Sequence, residues 1–277
     1  MDDEAEVDET ITAVSGEWEF DDEVADSFDS HVKKSIPFYD ELQRMVSEIS
    51  EYFVKRGSVV YDLGSSTGET LARLAQVHQN KEDVQLIGYE LNDDMIRQAE
   101  EKVHSDKVRF INKDIKDANF SPAPDFVTSL MTFHFLTLND RRQVLERIYD
   151  SMNEGGALLM VEKVHAENSK FEDMWLELYW DFKKRMDLTS DQILQKAGSI
   201  RGVLDPLTIE ENHDLLEQVG FEKTETFFQW YNWVGFLATK NRCFRDSGPP
   251  DRGGSKSSGR TNPSNGTSPQ SEGDDRP

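Results

Sequence analysis

The sequence predicts an α/β fold, a mostly parallel sheet with helices on both faces. Three observations predict it. Short apolar, β-branched runs alternate with stretches of helical periodicity. A glycine-spaced turn joins the first run to the helix that follows. Acidic residues close several of the runs, at the carboxyl edge where such sheets bind ligands.

The first run is Val59-Val60-Tyr61, closed by Asp62. Its apolar, β-branched character suits a strand buried on both faces. Gly64, Ser65, Ser66, Thr67 and Gly68 form the turn, and Leu71, Leu74 and Ala75 then fall at helical spacing. Glycines let the chain turn sharply and let a ligand approach. Free N–H groups at the helix start are expected to face that ligand. A Walker phosphate loop is excluded, since the turn has no lysine. The dinucleotide pattern has three glycines, and here only Gly64 and Gly68 stand. Alone, the turn is weak evidence. The second run, 84–87, leads to Glu90, and an acid at that distance accepts bonds from both ribose hydroxyls of an adenosine ligand. The third, 108–111, leads to Asp114 and Ile115. The fourth, 125–132, leads to His134. The fifth, 157–161, follows the turn Asn153-Glu154-Gly155-Gly156. Asp62, Glu90, Asp114 and residues 130–134 are all expected at the ligand edge.

"DLGSSTGET", "GYELNDDMI", "NKDIKD" and "MNEGGALLMVEK" resemble successive motifs of class I S-adenosylmethionine-dependent methyltransferases. From "GEWEFDDEVADSFDSHVKKSIPFYDEL" to "FFQWYNWVGFLATK" the chain is similar to one branch, the carboxy-S-adenosylmethionine synthases. The resemblance implies a Rossmann-like, seven-stranded, mostly parallel sheet with an α-helical insertion before the last hairpin. It implies S-adenosyl-L-methionine as cofactor. Asp62, Gly64, Ser65 and Gly68 would line its methionine part. Glu90 would hold the ribose, Leu91 would border the adenine, and Asp114 and Ile115 would flank that ring. Tyr39 would close over the amino-acid end, its alternative being a half-buried aromatic on a helix.

At two positions the chain departs from the branch. Ala197 stands where the synthases hold an arginine that grips the added carboxylate, and a methyl group cannot do so. Arg201 lies one helical turn further on. Leu130 replaces an expected asparagine. Three readings follow. One is a methyltransferase acting on a small-molecule acceptor. The second is a carboxy-S-adenosylmethionine synthase, using prephenate and serving tRNA wobble-uridine modification. The third is a cofactor-binding protein without catalysis.

Methyl transfer from a sulfonium is chiefly a matter of positioning. A base is needed only where the acceptor must lose a proton. His134 is the best-placed candidate base, though a lone histidine is more often packed or bonded, and His165 is the weaker one. No HExxH or Cys/His cluster suggests a metal. In the insertion, Phe171, Met174, Trp175, Leu178, Tyr179 and Phe182 recur at helical spacing. Core packing is the first reading of that stripe, a substrate wall or homodimer contact the second.

The 277 residues suit one domain with extensions. The net charge of −23 argues against direct nucleic-acid binding, with Lys183-Lys184-Arg185 read as a short helix face. It also suits solubility in salt. A single cysteine, Cys243, excludes an intrachain disulfide. No apolar run reaches membrane-spanning length and no secretory signal opens the chain, so a cytoplasmic protein is expected. Residues 1–15 and 246–277 are read as disordered, flanking a cofactor-binding domain at 16–245.

Overall fold

A computed structural model describes residues 22–240. The acidic start, the tail from 246, Cys243 and the "GEWEFD" opening lie outside the described residues. Two helices, α1 (Asp22–Ser35) and α2 (Tyr39–Phe53), precede the sheet. Then β1 (Val59–Leu63), α3 (Glu69–Val77), β2 (Gln85–Glu90), α4 (Asp93–Lys102) and β3 (Val108–Asn112) alternate. They are followed by β4 (Phe126–Leu130), α5 (Leu138–Ser151) and β5 (Ala157–Lys163). The insertion comprises α6 (Ser169–Arg185), α7 (Ser190–Ser199) and α8 (Ile209–Val219). The hairpin of β6 (Lys223–Trp230) and β7 (Trp233–Thr239) closes the order.

The seven strands lie in the order β3-β2-β1-β4-β5-β7-β6. All pairs from β3 to β5 are parallel, while β7 runs antiparallel to β5 and β6. The chain order reverses between β1 and β4, and sheets of this kind bind ligands at such a switch point, outside the carboxyl ends of the strands. Polar side chains fix where the helices begin. Asn92 caps α4 by accepting from the Asp94 and Met95 N–H groups. Thr189 and Thr208 form capping boxes with Gln192 and Glu211.

Strand alternation sorts the core into two layers. Tyr61, Leu63, Tyr89, Val127, Leu158 and Met160 pack with α5 and α8 residues such as Leu145, Ile148 and Leu216. Val60, Leu86, Phe126, Leu159 and Val161 pack with Leu42 and Val46 of α2, Leu71 and Leu74 of α3, and Tyr179 of α6. Asp62 and Glu90, at even positions, belong to this second face, below α1 and α2.

The fourth strand is shorter than expected at both ends: Asp125 turns its side chain back to accept from the Val59 N–H at 2.9 Å, and Met131 takes a positive φ of 60° just past Leu130. The aromatic stripe is also divided. Tyr179 is buried and Phe182 packs beside it, but Phe171 is 49% exposed and Met174 40%. Core packing therefore holds only for the second half of α6. Lys183 is not part of a solvated face: it is buried, its ammonium 4.6 Å from the centre of the Tyr179 ring.

Candidate active site

The turn after β1 is tied to the neighbouring strand. The N–H groups of Gly64 and Ser65 both donate to the Tyr89 carbonyl, at 2.9 and 3.0 Å, and Gly68 donates to the Ser65 carbonyl. The Ser66 N–H donates to Glu90 Oε2 at 2.8 Å. These four donors of the turn are spent within the fold; the N–H groups at the start of α3 itself, from Glu69 on, are not among them. Gly64 has φ +70°, and a Cβ there would stand 2.4 Å from Thr132 Oγ1, so glycine is required twice over. At Gly68, φ +78°, a Cβ would meet Phe110, Ala99 and Val103 at 2.9–3.1 Å, so close packing against α4 and β3 requires glycine there too.

Asp62 is 2% exposed. Its Oδ1 accepts from Thr128 Oγ1 at 2.7 Å, and its Oδ2 is buried with no partner. Burial pushes its carboxyl up to about 7, the Thr128 bond opposing and the Glu90 charge reinforcing the rise. Ser65 Oγ and Gln43 Oε1 are buried and unpartnered as well. Unmet buried polar atoms are rare, and each asks for a ligand or water. Gln43 donates to Tyr39 Oη and Thr70 Oγ1, both at 3.2 Å, which clips α2 to α3. Tyr39 is almost buried, and burial raises its phenol well above the ordinary value, with the charges of Glu69, Asp29 and Asp62 adding to the rise. α1 is held to the same turn, since Asp29 accepts from Thr67 Oγ1 at 2.6 Å and also pairs with Lys102.

Glu90 is more occupied than the sequence suggests. Oε1 accepts from the Leu91 and Asn92 N–H groups at 2.8 and 3.0 Å, in addition to the Ser66 bond on Oε2. A carboxylate has about four acceptor sites. Glu90 thus has room for one ribose hydroxyl, where two were expected. Leu91 is 64% exposed beside it, an apolar surface at the mouth. Asp114 caps a short 3₁₀ turn by accepting from the Lys116 N–H at 2.8 Å, and Lys116 Nζ lies 3.2 Å from Oδ2. The Ile115 side chain is buried in the first core layer.

His134 sits at the sheet edge but is anchored beneath it. Nδ1 lies 2.7 Å from Glu162 Oε2, which also accepts from the His134 N–H, while Oε1 accepts from the Phe133 N–H. The Lys163 N–H also lies 3.3 Å from Nδ1, but the shorter carboxylate contact calls for a protonated Nδ1 that donates. Glu162 shares the face of Leu158 and Met160, opposite to Asp62. This is a packed and bonded histidine, and an Nδ1 that donates to a carboxylate leaves the lone pair on Nε2. His165 bonds the carbonyl of its neighbour Ala166 at 3.2 Å. Ala197 is half-buried on α7, and Arg201 is exposed just beyond it. Sequence reasoning missed Glu162, Gln43 and Thr128. Glu162 had a faint signal, a charge closing an apolar strand, and the other two had none.

The "Methyltransferase domain" family matches residues 60–156. The carboxy-S-adenosyl-L-methionine synthase of Staphylococcus epidermidis is 37% identical over 81% of this chain and 97% of its own. That of Methylococcus capsulatus is 34% identical over 80% and 93%. The chain belongs to the carboxy-S-adenosyl-L-methionine synthase family. It is an S-adenosyl-L-methionine-dependent transferase, and S-adenosyl-L-methionine is its cofactor. Solved structures agree on the fold. An O-methyltransferase family protein from Burkholderia thailandensis gives a TM-score of 0.57 at 18% identity, covering 79% of this chain and 60% of that one. Human N-acetylserotonin methyltransferase in complex with S-adenosylmethionine gives 0.55 at 14%, covering 79% and 56%. No helix among the described residues is long and apolar enough to cross a membrane.

The unmet atoms fit this cofactor. An unpartnered carboxylate oxygen beside β1 suits an ammonium, and the remaining acceptor site of Glu90 suits a hydroxyl.

Proposed function

We propose that the protein converts S-adenosyl-L-methionine to its carboxylated form. Prephenate loses its ring carboxyl as carbon dioxide and its hydroxyl as hydroxide while the ring becomes aromatic. The S-methyl carbon gives a proton to that hydroxide to form water, and the same carbon bonds to the carbon dioxide. The protein's likeness, over four-fifths of the chain, to proteins named for that product carries the reading. The site supports it. Asp62 Oδ2 would receive the cofactor ammonium, Glu90 a ribose hydroxyl, and Leu91 and Asp114 would border the adenine. Tyr39, above Asp62, would cover the amino-acid end. Held by these residues, the cofactor would lie across the carboxyl ends of the strands toward the switch point between β1 and β4. The bound cofactor supplies a methyl group already activated by positive sulfur. The chain's task is to orient it and to keep water away. His134, its Nδ1–H donated to Glu162, would keep the lone pair on Nε2 and stays the candidate base for an acceptor that must lose a proton.

Ala197 favours a second reading, plain methyl transfer to a small molecule, because it lacks the guanidinium that would hold a carboxylate. Mass spectrometry of the nucleotide products separates the two. Incubation with S-adenosyl-L-methionine and prephenate is expected to yield the carboxylated cofactor. Intact S-adenosyl-L-methionine after many hours, with turnover to S-adenosylhomocysteine only when other acceptors are added, would overturn the first reading in favour of the second. The soluble partner in either case is a small molecule. A homodimer through the exposed half of the α6 stripe remains a proposal of this reading, checked by sedimentation.

A further inference from the structure

Lys163 is the last residue of β5 and pairs with Trp233 of β7. The registers place it on the cofactor's face. Asp62 lies beside Thr128, Thr128 beside Leu159, and Leu130 beside Val161. Lys163 stands two residues beyond Val161, on the same side of the sheet. It therefore occupies the rim past Leu130, on the side of β4 away from β1, where the sulfonium's reacting group would point.

Its ammonium is incompletely matched. Nζ lies 5.8 Å from the centre of the Tyr179 ring. Among the described residues no carboxylate comes within 4.0 Å of it, and no hydrogen bond holds it. Glu172 acts on it only from a distance, its Oε2 accepting from the Ala166 N–H at 2.7 Å. Burial pulls the ammonium below the ordinary lysine value. A half-buried lysine without a counter-ion is costly, and a second cation from the sulfonium adds to the cost. A neutral acceptor would leave both charges unmatched, whereas a carboxylate carried by the ligand halves the excess and is attracted by both.

We propose that Lys163 Nζ grips the carboxylate on the acceptor side of the sulfonium, the task for which this chain has no arginine at position 197. The assignment rests on the carboxylated-cofactor reading. It makes Lys163 a specificity-determining residue, with Tyr179 as the wall that holds its stem.

Calorimetry with two probes, S-adenosyl-L-methionine and carboxy-S-adenosyl-L-methionine, tests it. The unmodified protein is expected to bind the carboxylated probe at least about tenfold tighter than the plain one, as a charge-assisted bond implies. Lys163→Met is expected to lose that preference, with the plain probe binding at least as tightly as to the unmodified protein, and Lys163→Arg to keep most of it. An unchanged preference in Lys163→Met overturns the proposal while leaving the cofactor reading intact. Equal binding of both probes by the unmodified protein does the same. Binding of neither overturns the cofactor reading and this proposal with it. Protection from reductive methylation needs no variant. The carboxylated probe should shield Lys163 more than the plain one, and equal labelling of Lys163 overturns the proposal.

Discussion

Replacing Asp62 with asparagine isolates the buried acid that this site leaves half-satisfied. Its carboxyl is pushed from 3.8 to about 7, mainly by burial. That difference amounts to about 4 kcal/mol against the ionised form. The folded, cofactor-free protein holds a proton on Asp62 that the unfolded chain releases. This stability is fully present below about pH 4 and is lost as pH rises through about 7. His78 works in the opposite sense. Burial lowers it from 6.5 to about 4, helped by the Lys81 and Lys107 charges, so its contribution is present above pH 6.5 and lost as pH falls through about 4. The windows overlap, and the wild-type curve alone conceals both. The difference between wild-type and Asp62→Asn unfolding free energies, measured in urea, removes the His78 part. It should change by about 1.4 kcal/mol per pH unit between roughly pH 4.5 and 6.5.

Cofactor binding reverses the balance. An ammonium at Oδ2 needs the ionised acid, so binding near pH 6 should release close to one proton, seen as a buffer-dependent enthalpy. Affinity for S-adenosyl-L-methionine should rise roughly 15-fold from about pH 5.5 to 7.0 in the wild type and stay flat in the variant. A flat wild-type profile without proton release would refute the placement of the ammonium on Asp62.

Three further outcomes are expected. Glu90→Ala should weaken cofactor binding by about 1.5–3 kcal/mol in calorimetry, and should also lower stability, because three backbone donors lose their acceptor. Unchanged affinity in a folded variant would remove Glu90 from the ribose site. Glu162→Ala should cost about 3–5 kcal/mol in denaturant unfolding by stranding His134 and two buried N–H groups. A loss under about 1 kcal/mol would show that the pair is not structural. Gly64→Ala should cost about 2–4 kcal/mol, from positive φ and the clash with Thr132, and Thr132→Ala should restore part of it. A neutral Gly64→Ala would refute the crowding.

The sequence by itself determined the sheet. A fully buried strand such as Val59–Leu63 is apolar apart from Asp62 near its carboxyl end, and the helices between such strands must carry a 3.6-residue stripe, so both patterns are written in the residues. It also determined that Asp62, Glu90 and Asp114 close their strands at one edge, because parallel connections bring every carboxyl end to the same side. What those acids face was decided only in three dimensions. Glu90 spends most of its acceptor sites on N–H groups from two separate segments, and Gly68 packs closely against α4 and β3. His134 is taken by Glu162, 28 residues away in the chain. Only the pairing of β5 with β4 puts Lys163 on the face of Asp62, one strand beyond the switch point. Burial and hydrogen-bond partners depend on which distant segments pack together, and local residue patterns hold no record of that.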